Sequence, residues 1–251
     1  MTSERRETIL HYLAQKNFIT VKDMAELIHV SEPTIRRDFA ELEKEGVIRR
    51  NHGGASYLSE GEYEWPFTFR NRSNIDKKTY IAGLASSYIK AGDTIFLDSS
   101  STCYCMAKEL AKFDSLRVLC QGLPAIRALS ENESITIECL CGTYFPKRDA
   151  IYGADAINFI NQRHAKYCIL STSTLNLDYG LMDNAEEEIG MKQAFAKNAD
   201  KVMLLVDSSK FDKTSYYRTV PLEDIDIIVC DQRLPEELCE YCDGHGIEYV
   251  Y

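Results

Sequence analysis

The chain has 251 residues, 45% hydrophobic and 27% charged, with a net charge of −10. That composition is ordinary for a globular protein, and the length suits a small domain joined to a medium one. No apolar run approaches a membrane span and Met1-Thr2-Ser3-Glu4-Arg5-Arg6 lacks a signal-peptide core, so no membrane partner and a cytoplasmic location are expected.

The charge is unevenly spread. Residues 1–56 hold nine basic and nine acidic residues, and the remainder carries the whole acidic excess. A neutral head on an acidic body is compatible with DNA binding, because the basic footprint only has to be local. Helix one is predicted over about residues 4–16, with Ile9, Leu10, Leu13 and Ala14 on one face. Helix two begins at Thr20, a favoured N-cap, with Asp23 near its positive end and Met24, Ala25, Leu27 and Ile28 as its apolar face. After the turn at His29-Val30, Ser31 is expected to cap a third helix with Pro33 in its first turn. There Ile35, Phe39 and Leu42 form the buried stripe, and Thr34, Arg37 and Glu41 project the other way. Gly46 stops the helix, and Val47-Ile48-Arg49-Arg50, the turn His52-Gly53-Gly54 and Ala55-Ser56-Tyr57 make a hairpin. The whole is a winged helix-turn-helix over residues 1–57.

Residues 58–76 lack periodicity and read as a linker, with Trp65, Phe67 and Phe69 expected to pack it onto the body. From Lys77 to the C-terminus, amphipathic stretches (78–90, 102–112, 124–130, 153–162, 186–197, 235–243) alternate with seven apolar runs. The runs are TIFLD, LRVLC, ITIECL, KYCILS, KVMLLVD, DIIVC and IEYVY. This alternation predicts an α/β domain with a mostly parallel, doubly covered sheet. Ligands of such sheets bind outside the carboxyl ends of the strands, which points to Asp98, Ser171 and Asp207.

Four motifs carry chemistry. Thr34, Arg36 and Arg37 near a helix N-terminus suit major-groove entry, and Arg49, Arg50 and His52 on the wing suit phosphate contacts. The same helix also reads as a solvated, self-paired face, Arg36 with Asp38 and Arg37 with Glu41. At Asp98, a strand runs through Ser99-Ser100-Ser101-Thr102 into a helix, a cradle for phosphate or simply a generous N-cap. A second Asp-Ser-Ser strand end precedes Lys210, which can neutralise an anion or lie on the surface. Finally, Glu188 and Lys192 have the spacing of a helix salt bridge, and Lys147 and Arg148, in the loop after Gly142-Thr143, can face an anion but read first as solvated basic residues. No histidine–acid pair or metal-ligand cluster supports catalysis, and the Cys239/Cys242 pair has no second ligand pair, so no catalytic residue, metal or cofactor is expected. The nine cysteines, odd in number and mostly in apolar runs, read as buried reduced thiols.

These residues resemble the DeoR family of sugar-metabolism repressors over essentially the full length. The likeness is strongest in ERRETILHYL (4–13), VSEPTIRRDFAELEKEGVIRRNHGGA (30–55), GDTIFLD (92–98), DSSKF (207–211) and PLEDIDIIVCDQRLP (221–235). It implies a repressor of a carbohydrate operon with a double-stranded DNA operator as partner, read through Ser31, Thr34, Arg36, Arg37, Arg49, Arg50 and His52. It also implies a C-terminal sensor similar to ribose-5-phosphate isomerase and CoA-transferase folds, in which binding of a phosphorylated sugar or related phosphorylated metabolite releases DNA. The effector loop falls on Asp98, Ser99, Ser100, Ser101 and Thr102, with Glu188, Lys192 and Lys210 around it. Three loops depart from the family in their glycines: Ser100 and Cys141 each stand for one, and Ser171-Thr172-Ser173-Thr174 carries none. A homo-oligomer, dimer or tetramer, would present paired recognition helices to repeated half-sites. The competing reading is a sugar-phosphate isomerase-like enzyme, which rests on fold alone.

Overall fold

Residues 3–16, 18–57, 65–211 and 213–251 are described in the computed structural model of the chain. Two compact units divide it, Met1–Pro66 and Phe67–Tyr251.

The first unit runs α1 (Ser3–Lys16), β1 (Phe18–Thr20), α2 (Val21–Leu27), α3 (Glu32–Lys44), β2 (Ile48–Asn51) and β3 (Gly54–Tyr57). Thr20 caps α2, its hydroxyl accepting the Asp23 N–H at 3.0 Å. Ser31 holds the equivalent place before α3, but its hydroxyl pairs with that of Thr34 at 2.9 Å and does not cap the helix. Ile9, Leu10 and Leu13, with Met24, Ala25, Ile35, Phe39 and Leu42, are buried as the helical periodicity demands; the side chain of Ala14 lies outside the described residues. Where the sequence predicts a two-stranded hairpin, the wing has three strands in the order β1-β3-β2, all antiparallel. The added strand is three residues long and carries no alternation of its own. Gly54 is required by it: a Cβ there would lie 2.4 Å from the backbone oxygen of Ile19.

Of the stretch read as a linker, residues 58–64 lie outside the described residues. Trp65 is buried, and the second unit opens with a helical turn, α4 (Phe67–Arg70), whose Phe67 packs edge-on against Tyr104 with ring centroids 5.7 Å apart. There follow α5 (Ile75–Ser86), β4 (Thr94–Leu97), α6 (Ser101–Leu110), β5 (Arg117–Cys120), α7 (Leu123–Leu129), β6 (Thr136–Cys139), β7 (Thr143–Phe145), β8 (Ala150–Tyr152) and α8 (Ala154–Asn161). The chain continues through β9 (Ala165–Leu170), β10 (Thr174–Asn176), β11 (Gly180–Asp183), α9 (Glu187–Lys197), β12 (Ala199–Val206), β13 (Tyr217–Val220), β14 (Ile227–Cys230), α10 (Glu236–His245) and β15 (Glu248–Val250).

All seven apolar runs enter one sheet, in the order β15-β14-β12-β9-β4-β5-β6. Every neighbouring pair in it is parallel. The central runs, β4, β9, β12 and β14, are largely apolar because both faces are covered. One face packs Phe96, Leu119, Leu170 and Leu204 with Ile160, Phe195 and Leu238 of α8, α9 and α10. The other packs Ile95, Leu97, Val118 and Met203 with Ile81, Met106 and Leu129 of α5, α6 and α7. Strand order reverses beside β4: the chain moves from it to β5 and β6 on one side, then returns to β9 on the other. The loops leaving β4 and β9 therefore diverge and open a crevice at their carboxyl ends. Two small antiparallel additions, the β7–β8 hairpin and the sheet β10-β11-β13, grow from the loops at this edge. Seven of the nine thiols are buried, Cys139 and Cys141 are exposed, and all nine are free.

Candidate functional site

The outer edge of α3 and the wing carry the side chains expected on DNA. Ser31, Arg36, Arg37, Arg49, Arg50 and His52 are exposed and Thr34 is half-buried. Arg36, Arg50 and His52 line a groove of about 440 Å³ together with Phe39, Glu43 and Asn51. Arg37 and Arg49 make no ion pair among the described residues. Arg50 is held by Glu43, which accepts its backbone N–H at 2.9 Å and its Nε–H at 2.7 Å. Those two bonds, the backbone one first, hold the Glu43 carboxyl below its ordinary range. Arg36 meets Glu32 one turn back at 3.2 Å, not Asp38 as the spacing alone allowed. Asp38 lies on the inner edge, three residues after Ile35, and is fully buried. It receives Arg5 of α1 through two bonds of 2.7 and 3.0 Å, which orients α3 against α1.

The second cluster sits at the crevice beside β4. Asp98 is buried and ties the two diverging loops together: Ser100 N donates to Oδ1 and Ser171 N to Oδ2, each at 2.8 Å. Ser100 then caps α6, its hydroxyl accepting the Cys103 N–H at 3.1 Å, while Ser101 and Thr102 form the buried first turn. Ser99 meets the Tyr152 hydroxyl at 2.9 Å, and that hydroxyl donates to Glu188 at 2.6 Å. Lys192 lies 3.9 Å from Glu188, so the expected helix pair is its weakest contact. Its Nζ donates at 2.6 Å to Asp183 and at 2.6 Å to the backbone oxygen of Ser171. Arg148, read from sequence as solvated, is buried beneath the Tyr152 ring and faces Glu187 at 3.4 Å and Glu188 at 3.8 Å.

Electrostatics follow from this geometry. Burial works against the Lys192 charge, but Asp183, Glu188 and Asp98 outweigh it and raise its pKa. Burial pushes the Asp183 carboxyl up, and Lys192 with the Ser173 donors reverses this, leaving it lowered. Glu188 goes the other way: burial, with Asp183 close by, raises it against the pull of Lys192 and Arg148. The result is a buried set of donors and acceptors with a fixed cation at its centre, suited to holding hydroxyl and anionic groups. Lys210 lies on a separate short turn after β12, two strands from β4. Asp207 anchors that turn by accepting the Ser209 N–H at 3.0 Å, and Asn74 also reaches it at 3.2 Å.

Residues 5–61 match the DeoR-like helix-turn-helix domain, and residues 73–232 match the DeoR C terminal sensor domain. The chain belongs to the DeoR family. The HTH-type transcriptional regulator GolR of Listeria innocua is 34% identical over 97% of this chain and 96% of its own. The HTH-type transcriptional repressor GlcR of Bacillus subtilis is 30% identical, with 98% and 95% covered, and the glycerol-3-phosphate regulon repressor of Escherichia coli is 27% identical, with 98% and 97% covered. Among solved structures, ribose 5-phosphate isomerase A from Methanocaldococcus jannaschii is similar over 55% of each chain, at 18% identity and a TM-score of 0.41. This DeoR-family protein is a DNA-binding transcriptional regulator, and its relatives are named as regulators and repressors rather than as enzymes. No helix among the described residues is long and apolar enough to cross a membrane.

Of the effector residues expected from sequence, Asp98 to Thr102, Glu188 and Lys192 come together in one cluster and Lys210 lies apart from it; Asp183 and Tyr152, which join the cluster, are not among those expected, and Arg148 has the solvated reading there. Asp183 stands at the head of the Asp-Asn-Ala-Glu-Glu-Glu run and offered the one usable signal. Tyr152 and Arg148 belong to the β7–β8 hairpin, whose strands are too short to announce themselves.

Proposed function

We propose that this regulator represses a carbohydrate-metabolism operon and is released from its operator by a phosphorylated sugar bound beside β4. It acts as a cytoplasmic homo-oligomer, dimer or tetramer, whose paired α3 helices meet repeated half-sites. Thr34, Arg36 and Arg37 read base edges, with Ser31, Arg49, Arg50 and His52 on phosphates. The observation that carries the sensor half is the cluster of buried Asp98, Asp183, Lys192 and Arg148, with half-buried Glu188 beside them, at the point where strand order reverses. Such a concentration of buried charge costs stability and is retained where it serves binding. Asp98 through Thr102, Glu188, Lys192 and Lys210 hold the effector, with phosphate at the hydroxyl-rich turn and hydroxyls on the carboxylates. Relatives named for the aga operon and the glycerol-3-phosphate regulon support the carbohydrate assignment and the sign of control.

Fluorescence anisotropy on labelled DNA from the promoter beside its own gene tests this. Binding that weakens with salt and reverses on adding one of a panel of sugar monophosphates is the expected result. Salt-insensitive binding, or binding that no sugar monophosphate reverses, would overturn it.

A further inference from the structure

Gln121 is fully buried, and neither its amide nitrogen nor its amide oxygen has a hydrogen-bond partner. A carboxamide brings two donors and an acceptor oxygen with two lone pairs, and leaving all of them unmade inside a protein is costly. Its backbone, by contrast, is fully used. The Gln121 N–H donates to Leu97 O at 3.2 Å and its carbonyl accepts the Ile151 N–H at 3.1 Å. These bonds fix its position beside β4 and against the β7–β8 hairpin.

The surroundings are those of the effector cluster. β5 runs parallel to β4 with Cys120 opposite Leu97, so Gln121 stands opposite Asp98. Strand alternation puts its side chain on the face of Leu119, which is the face covered by Tyr152 and α9. The following residue, Gly122, packs so closely that a Cβ would lie 3.2 Å from Ser99 Cα. Ser99 is the residue whose hydroxyl meets Tyr152. Gln121 therefore stands next to Asp98 in the sheet, on the Tyr152 side, with an unsatisfied amide.

We propose that Gln121 is a specificity-determining residue of the effector site, reading a hydroxyl or carbonyl oxygen on the carbon chain of a sugar monophosphate. This rests on the sensor reading given above. A hydroxyl gives and accepts, as the amide does; a phosphate only accepts, and Lys192, Arg148 and the serine-rich turn are its better partners. Gln121 thus reads the sugar rather than the phosphate.

The test uses the full chain with ribose 5-phosphate, fructose 6-phosphate, tagatose 6-phosphate, glycerol 3-phosphate and inorganic phosphate as probes, followed by thermal melting and titration calorimetry. Gln121→Leu and Gln121→Met remove the amide at similar volume. Without ligand both should melt at or above the wild-type temperature, because an unpaired polar group is replaced by an apolar one. Both should bind the responsive sugar monophosphate at least about tenfold more weakly, with inorganic phosphate unaffected. Undiminished sugar-phosphate affinity in the variants overturns the role of Gln121 alone. So does a lowered melting temperature in both variants, which would make the amide a structural group. A wild type that responds to none of the four sugar monophosphates overturns the sensor reading and this inference together.

Discussion

The two candidate sites use ion pairs in opposite ways. On the outer edge of α3 and the wing the pairs are at the surface: Arg36 with Glu32 and Arg50 with Glu43, side chains 38–60% exposed. At the crevice beside β4 the pair is buried: Lys192 with Asp183, 4% and 7% exposed. Surface pairs are worth at most about 1 kcal/mol and weaken with salt, so a phosphate can replace one partner cheaply. Buried pairs are costly to break from one side, by about 3–5 kcal/mol, because a charge is left without its partner. The first arrangement suits the proposed exchange of partners with a polyanion that comes and goes, and the second suits the proposed rigid cradle for a small ligand.

The largest effect should come from Lys192→Met. It strands Asp183 and Glu188 in the interior and should lower unfolding stability by about 3 kcal/mol or more, read from the urea midpoint of the full chain. A loss no greater than that of a surface substitution would show that the cluster admits water.

The same pair predicts an acid limb. Asp183 is held below its ordinary 3.8, so its contribution is complete above that value and is lost as pH falls through the depressed one. Glu188 is raised, so the native state takes up its proton first and the Glu188 contribution declines as pH rises through the region above its ordinary 4.5. Asp183→Asn should flatten the limb below about pH 4, measured by melting temperature against pH; an unchanged limb would place its origin elsewhere.

Next in size is Arg37→Ala. Its guanidinium is exposed and unpaired among the described residues, and its loss should weaken operator binding by about 1–3 kcal/mol and relax selectivity at one base pair. Retained affinity and selectivity would remove Arg37 from the reading edge. The smallest effect belongs to Glu43→Gln. Freeing Arg50 should tighten operator binding by less than about fivefold and steepen its salt dependence by about one charge. Weaker binding in that variant would mean that Glu43 positions Arg50 for DNA instead of restraining it.

How much of this was legible in the sequence follows the same division between local and distant causes. The central parallel strands could be read directly because they are apolar on both faces, and α3 because Ile35, Phe39 and Leu42 keep helical spacing. The short strands β1, β7, β8, β10, β11 and β13 could not, since their three or four residues gain order from partners elsewhere in the fold. Asp38 reads as a surface acid until Arg5, 33 residues earlier, is brought to it. Arg148 reads as solvated until the hairpin folds it under Tyr152. The candidate cluster was signalled by its loop and helix patterns, while the residues that enclose it were set by contacts no local pattern records.

Coupling between the two units is tested most directly by reciprocity. The affinity of the responsive sugar monophosphate is measured for the free regulator and for its saturated operator complex, alongside operator affinity with and without the sugar. The expected result is one shared factor: the sugar weakens DNA binding, and DNA weakens sugar binding, by the same ratio. Equal sugar affinity for the free and DNA-bound protein would contradict the account, because a ligand that binds both states alike shifts nothing.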